Sequence, residues 1–113
     1  MTGDDIDKLV MPRLNNDIQH HIWFDADVVA GINAAVRDLT GVQRPDAMLS
    51  ATLTLTAIVD ITDLTGTVSI ADKWASCLAE YVCAHLLRFH GKEPENEKRA
   101  QAHMTEYMRL AKG

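Results

Sequence analysis

The chain has 113 residues, enough for one domain with a modest core, and its 47% hydrophobic and 24% charged residues exclude a disordered protein. No apolar run approaches the roughly 20 residues that span a bilayer, and the acidic start MTGDDIDK is unlike a signal or transit peptide, so we expect a soluble product made in the cytoplasm. The net charge of -5 argues against a broad basic surface that grips nucleic acid, because phosphate binding needs clustered Lys and Arg.

The first predicted helix covers about residues 3–14. Thr2 and Asp5 have the spacing of a capping box, in which each side chain binds the other residue's backbone amide. Apolar residues then recur on one face, at Ile6, Leu9, Val10 and Leu14. Pro12 lacks an amide hydrogen and disfavours a helical conformation at Met11, so the sequence predicts a break or kink there.

The second predicted helix covers about residues 26–40 and carries the core anchors Ile32 and Val36. Asn33 lies beside this apolar stripe, where a buried polar side chain needs a hydrogen-bond partner. We expect Asn33 to tie the helix to a neighbouring backbone segment. Gly41 is placed to end the helix.

The clearest strand pattern follows at about residues 50–61, where apolar residues alternate with threonines. Residues 67–70 can pair back after a turn, which predicts a β-hairpin or ribbon between the second and third long helices. Two strands alone are only marginally stable, so the ribbon must pack against the helices or on another subunit. Its outward threonines, Thr52, Thr54 and Thr56, are therefore candidate interface residues.

The third predicted helix covers about residues 72–89 and organises the fold, because its apolar stripe is the longest in the chain. Four residues of this stripe are predicted core anchors: Trp74, Leu78, Tyr81 and Phe89. Glu80 and Arg88 fall off the stripe. Ser69 and Asp72 have the spacing of a second capping box, and Gly91 is placed to end the helix.

The last predicted helix covers about residues 94–111, with Pro94 at its first position. Its apolar stripe comprises Ala100, Met104, Tyr107, Met108 and Ala111. Together the patterns predict one mainly α domain over residues 1–113. It is a small bundle of about four helices with the β-ribbon inserted between the second and third long helices.

The residue types that carry chemistry do not form a recognisable site. The five histidines and two cysteines lack the spacing of metal ligands, and no GxSxG motif or P-loop occurs. Cys77 and Cys83 are too far apart along one helix for a disulfide, which predicts two free buried thiols. His85 is expected to be a hydrogen-bonded core residue. We therefore predict no catalytic residues, metal or cofactor.

Short segments in a fixed order resemble the head-tail adaptor family of tailed bacteriophages, also called connector or head completion proteins. The front half carries Trp23-Phe24-Asp25, Ile32-Asn33-Ala34-Ala35 and Arg44-Pro45-Asp46-Ala47. The back half carries Asp63-Leu64-Thr65, Ile70-Ala71-Asp72, Tyr81-Val82, Asn96, Arg99-Ala100 and His103. The agreement covers roughly residues 23–107.

The resemblance implies a structural virion protein and no enzyme. Its copies, commonly twelve, would form a ring between the portal protein and the tail or its terminator or stopper protein, at the head-tail neck of the particle. DNA would pass through the lumen without sequence-specific binding, and no membrane would be involved. Portal docking is expected on the last helix, at Tyr107, Arg109 and Lys112, or on the N-terminal segment.

Two alternatives remain open at the level of the sequence. One is another neck or tail-completion subunit of the same kind of particle. The other is a small acidic helical protein with a regulatory or DNA-binding role, although the basic residues of the last helix are offset by Glu95, Glu97 and Glu106.

Overall fold

The computed structural model of the chain describes residues 1–15, 25–43, 60–68, 70, 72–90 and 94–112. Helix α1 spans Gly3–Asn15 and α2 spans Asp25–Asp38, which continues into a π-helical turn at Leu39–Gln43. A 3₁₀ turn at Asp72–Trp74 leads into α3, Ala75–His90, and α4 spans Pro94–Lys112. The prediction of a mainly α protein with about four helices is confirmed.

Helix α3 is the common packing partner of α1, α2 and α4. Its side chains are buried on almost every side, including Leu78, Val82 and Leu86, which have no exposed surface. Gly31 of α2 allows close approach, since a Cβ atom there would lie 3.2 Å from the Val82 side chain. The predicted anchors Ile32, Val36, Trp74 and Leu78 lie in this core, and Tyr81 packs against it partly exposed.

The N-terminus of α1 is capped as the sequence predicts. The Thr2 amide donates to Asp5 Oδ2 at 2.8 Å, and the Asp5 amide lies 3.4 Å from Thr2 Oγ1. The predicted break at Pro12 is wrong, because the helix runs without interruption to Asn15. Pro12 removes only the bond to the Lys8 carbonyl, near the helix end, while the buried Val10 and Leu14 hold the last turns against the core.

The segment 60–68 is held by α1 and α2. The amides of Gly3 and Asp4 donate to the carbonyls of Gly66 and Leu64 at 3.1 and 2.7 Å, which satisfies donors that α1 leaves free at its first turn. Asn33 binds the backbone of Ile61 twice, with Nδ2 donating to the carbonyl and Oδ1 accepting from the amide, both at 3.0 Å. The prediction that Asn33 ties α2 to a backbone segment is therefore confirmed.

The predicted ribbon falls mostly on residues that the structure does not describe. Of the strand at 50–61 only Asp60 and Ile61 are described, and Thr52, Thr54 and Thr56 lie outside the described residues, as do Ser69 and Gly91. Thr67, from the predicted strand at 67–70, forms an isolated antiparallel bridge with Thr2. Among the described residues no longer strand is present.

The end of α2 differs from the sequence-based expectation at Gly41. The helix does not stop there but widens into the π-helical turn that reaches Gln43. In this turn the buried Thr40 hydroxyl donates to the Val36 carbonyl at 2.7 Å, so a side chain takes over an acceptor at the helix end.

Candidate functional site

A buried carboxylate at the centre of α3 joins three helices. Glu80 is only 8% exposed. Arg13 of α1 donates from Nε to Glu80 Oε1 at 2.9 Å, and His103 Nδ1 of α4 lies 2.5 Å from Glu80 Oε2. The same Arg13 guanidinium also donates to the Leu9 carbonyl at 2.5 Å. The triad therefore fixes α1 and α4 to the same turn of α3.

The partners of Glu80 decide its charge. Burial by itself raises the pKa of Glu80, but the hydrogen bonds from His103 and Arg13 outweigh it and hold that pKa below its ordinary value of 4.5. Glu80 is thus ionised at neutral pH, so the His103 Nδ1 atom facing it carries a proton. Arg13 and Glu80 form an ion pair, and His103 binds the second oxygen of the carboxylate. Because both oxygens bind protein side chains, the triad has a structural role.

Sequence reasoning missed this triad. Glu80 and His103 each looked isolated, because Glu80 falls off the apolar stripe and His103 has no ligand-like neighbour on its own helix. Glu80 is 67 positions from Arg13 and 23 positions from His103 along the chain. The only local signal was a charged residue in a largely apolar helix. Such a residue does not indicate which distant side chains bind it.

Tyr107, predicted as an interface residue, is fully buried, so that prediction is wrong. Its hydroxyl donates to Asp38 Oδ2 at 2.7 Å, and its ring meets Tyr81 edge-on with the centroids 5.1 Å apart. Burial and then the Asp38 carboxylate raise the pKa of Tyr107. The residue joins α4 to the end of α2, because the apolar stripe of α4 turns it inward.

The two cysteines are free and buried, as predicted. Burial, with the nearby Asp38 and Glu80 carboxylates, raises the pKa of Cys77 to about 11. A thiol in that state is a poor nucleophile at neutral pH. Within the described ranges, no group of three or more His, Cys, Asp or Glu residues is placed to hold a metal ion.

Phe89 is an exposed aromatic residue at the end of α3. Phe89 is 71% exposed, so its prediction as a core anchor is wrong. It follows the apolar stripe of α3 but lies in the last turn, and its ring packs only against the ring of His85, at 4.7 Å, among the contacts described. The periodicity of a helix does not show which positions at the edge of its apolar stripe the neighbouring elements cover.

A wide groove lies on the outer face of α4, beside Phe89. It has a volume of about 730 Å³. We call it the α4 groove, and it is lined by Gln101, Met104, Thr105, Met108, Arg109 and Lys112. Met104 also lines a hollow of about 50 Å³ shared with Phe89, His85 and Arg88, so the apolar surface continues from α4 to the end of α3.

Two of the three basic residues around this surface are paired with carboxylates. Arg109 is bound by Glu106, and Arg88 lies 3.5 Å from Glu97. Lys112 is exposed and has no ion-pair partner among the described residues. Arg109 and Lys112, both predicted interface residues, thus lie in the α4 groove, where two methionines supply an adaptable apolar floor.

None of the described helices combines the length and the apolar character needed to cross a bilayer. Comparisons of the chain with protein-family models, with curated proteins and with solved structures found no match.

Proposed function

We propose that this protein is a structural subunit of a tailed-phage particle that forms a ring between the portal and the tail. The proposal rests on the ordered sequence segments that resemble head-tail adaptors. The observation that favours an assembly role is the exposed Phe89 beside the methionine-lined α4 groove. A large exposed aromatic side chain next to a groove is typical of a surface that another protein covers.

The polar groups inside the fold are consistent with such a role. Glu80, His103 and Tyr107 are used to hold the helices together. Their bonding atoms contact protein partners. A bundle whose helices are joined by such bonds suits a subunit that must keep its shape while it binds neighbours.

The proposal also assigns roles to individual surfaces of the subunit. The ribbon between α2 and α3, with Thr52, Thr54 and Thr56, would extend to a neighbouring subunit, and Arg109 and Lys112 would contact a neighbouring subunit or the portal. The ring would extend the DNA channel at the head-tail neck and provide the docking surface for the tail. With a net charge of -5 on each copy, the lumen would repel DNA and let it pass.

Purified particles from a phage that encodes this chain provide the test. Quantitative mass spectrometry should find about twelve copies per particle, as expected for a closed ring. Absence of the chain from particles would overturn the proposal. Band-shift assays with duplex DNA would then test the regulatory alternative, for which salt-sensitive binding is the expected sign.

Complementation with variants links particle incorporation to the proposed surface. Phe89→Asp should abolish incorporation while the isolated variant keeps its fold, because the side chain is largely exposed. Lys98→Glu is the matched control, since Lys98 is exposed on α4 but does not line the groove. Normal incorporation of Phe89→Asp would remove this surface from the proposal.

A further inference from the structure

Three carboxylates at the starts of α1 and α2 form an acidic patch. We define it as Asp4, Asp7 and Asp25. Asp4 and Asp7 lie one turn apart on α1, and burial, then the charges of Asp25 and Asp4, raises the pKa of Asp7. None of the three carboxylates forms an ion pair with a cation of the described residues. Among the described residues, no ion pair therefore offsets the repulsion at Asp7.

The α4 groove has the complementary chemistry. Its described lining residues include two cations, Arg109, which is bound by Glu106 of the same helix, and Lys112, and none of them is a carboxylate. Lys112 is exposed and has no ion-pair partner among the described residues. Met104 and Met108 would pack against apolar groups on the acidic side, such as Val29, which is partly exposed one turn after Asp25.

The two surfaces lie on different layers of the bundle. Helix α4 packs on α3 and on the π-helical turn at Leu39–Gln43, whereas α1 and α2 pack on α3 from their own sides. The acidic patch and the α4 groove share no residue. One copy can therefore offer both surfaces at once, to two different neighbours.

We propose that the α4 groove of one copy receives the acidic patch of a second copy, which gives a head-to-tail contact. A groove-to-groove contact would instead bring Arg109 and Lys112 near their own counterparts, a like-charge arrangement that disfavours association. A head-to-tail contact repeats from copy to copy and closes into a ring when its rotation allows. Ring closure rests on the proposed function, while the contact itself is a property of the isolated protein.

Mixing two defective variants of the full chain tests the direction of the contact. One variant, Met108→Glu with Lys112→Glu, loses the groove. The other, Asp4→Asn with Asp25→Asn, loses the patch and keeps side chains that can cap a helix. In sedimentation velocity each variant alone should self-associate at least about tenfold more weakly than the wild type. Their equimolar mixture retains one intact groove and one intact patch, so it should form 1:1 dimers that do not grow further.

The mixing experiment needs a control variant, a check that each variant is folded, and a salt series. Lys98→Glu should associate as the wild type does, and far-UV circular dichroism must show that each variant is folded. Wild-type association should weaken as salt rises, because the contact includes charged groups. If the patch variant associates as strongly as the wild type, the head-to-tail contact is wrong.

The outcomes also separate this contact from the proposed function. A wild-type chain that stays monomeric in solution but occurs in particles at about twelve copies would overturn the contact and leave the function standing. Association through the two surfaces, without any presence in particles, would leave the contact and overturn the function.

Discussion

At the scale of single residues, three aromatic side chains with similar sequence patterns have different surroundings. Trp74 is 6% exposed at the start of α3, Phe89 is 71% exposed at its end, and Tyr107 is fully buried in α4. The difference comes from which face of its helix each side chain occupies. Leu86 and Leu87, next to Phe89 near the end of α3, are buried, and Arg88 lies 3.5 Å from Glu97 of α4. The neighbouring helices therefore reach the end of α3, and Phe89 lies on the side that they leave exposed.

Trp74 and Phe89 should therefore respond differently to truncation. Trp74→Ala should lower the free energy of unfolding by about 3–5 kcal/mol, because it removes a large buried side chain. Phe89→Ala should change it by less than about 0.5 kcal/mol, as expected for a surface position. Urea unfolding of both variants checks this contrast. A loss of less than about 1 kcal/mol for Trp74→Ala would place Trp74 outside the packed core.

At the scale of elements, polar side chains fix how the helices meet. The Arg13–Glu80–His103 triad joins α1, α3 and α4, and Asn33 joins α2 to Ile61 with a pair of hydrogen bonds like those that link two strands. Apolar contact alone would tolerate small shifts between helices. These directional contacts fix one arrangement, which is the condition for a surface such as the α4 groove to keep its shape.

Glu80 gives the bundle a pH-dependent contribution to stability. The pKa of Glu80 is lower in the folded protein than its ordinary 4.5, so this contribution is fully present above that value and is lost as the pH falls through the lower folded pKa. Glu80→Gln should be less stable than the wild type by roughly 2 kcal/mol at pH 7, with a smaller difference in acid. Thermal unfolding of both proteins from neutral pH to below pH 4.5 measures that difference. A difference that stays constant with pH would contradict the role of the Glu80 charge.

Asn33 should control the order of the segment that it holds. Asn33→Ala leaves both backbone groups of Ile61 without their partner and should cost about 1–3 kcal/mol. Hydrogen exchange of the Ile61 amide should accelerate more than that of the Asp4 amide, which donates to Leu64. Asn33→Asp is the matched control, because it keeps an acceptor for the amide but not a donor for the carbonyl. Equal acceleration at both amides would indicate a general loss of the fold.

Helices and their caps depend on residues that are close in sequence, so they could be predicted. The burial of individual side chains depends on contacts with residues far away in sequence, so it could not. The capping box of Thr2 and Asp5 and the four helices follow from local spacing. The burial of Glu80 and Tyr107 depends on residues far along the chain, and the exposure of Phe89 depends on which edge of the α3 stripe the other helices cover. The basic groove residues Arg109 and Lys112 were found in the sequence, but the methionines beside them looked like ordinary core positions.

At the scale of the whole molecule, one core is shared by all four helices. Because α1, α2 and α4 each pack on α3, none of them forms a separate unit among the described residues. Such an arrangement predicts a single cooperative unfolding transition. It also predicts that the bundle cannot lose an outer helix without exposing the apolar surface of α3.

Removal of α4 tests this interdependence. A chain that ends at residue 93 lacks the buried Ala100, Tyr107 and Ala111 and the His103 partner of Glu80. We expect it to lose cooperative unfolding, whereas the full chain should show coincident transitions by tryptophan fluorescence and far-UV circular dichroism. If the shortened chain still unfolds cooperatively, within a few degrees of the full chain, then α1, α2 and α3 do not need α4 to form a stable fold.

The two buried thiols of α3 make the opening of the bundle measurable helix by helix. Cys77 Sγ lies 3.7 Å from the Tyr107 carbonyl of α4, and Cys83 Sγ lies 4.0 Å from the Val10 carbonyl of α1. An alkylating reagent can reach each sulfur only after the helix above it moves away. In single-cysteine variants, the labelling rate at Cys77 would therefore report the release of α4, and the rate at Cys83 the release of α1. Equal rates would mean that the bundle opens only as a whole.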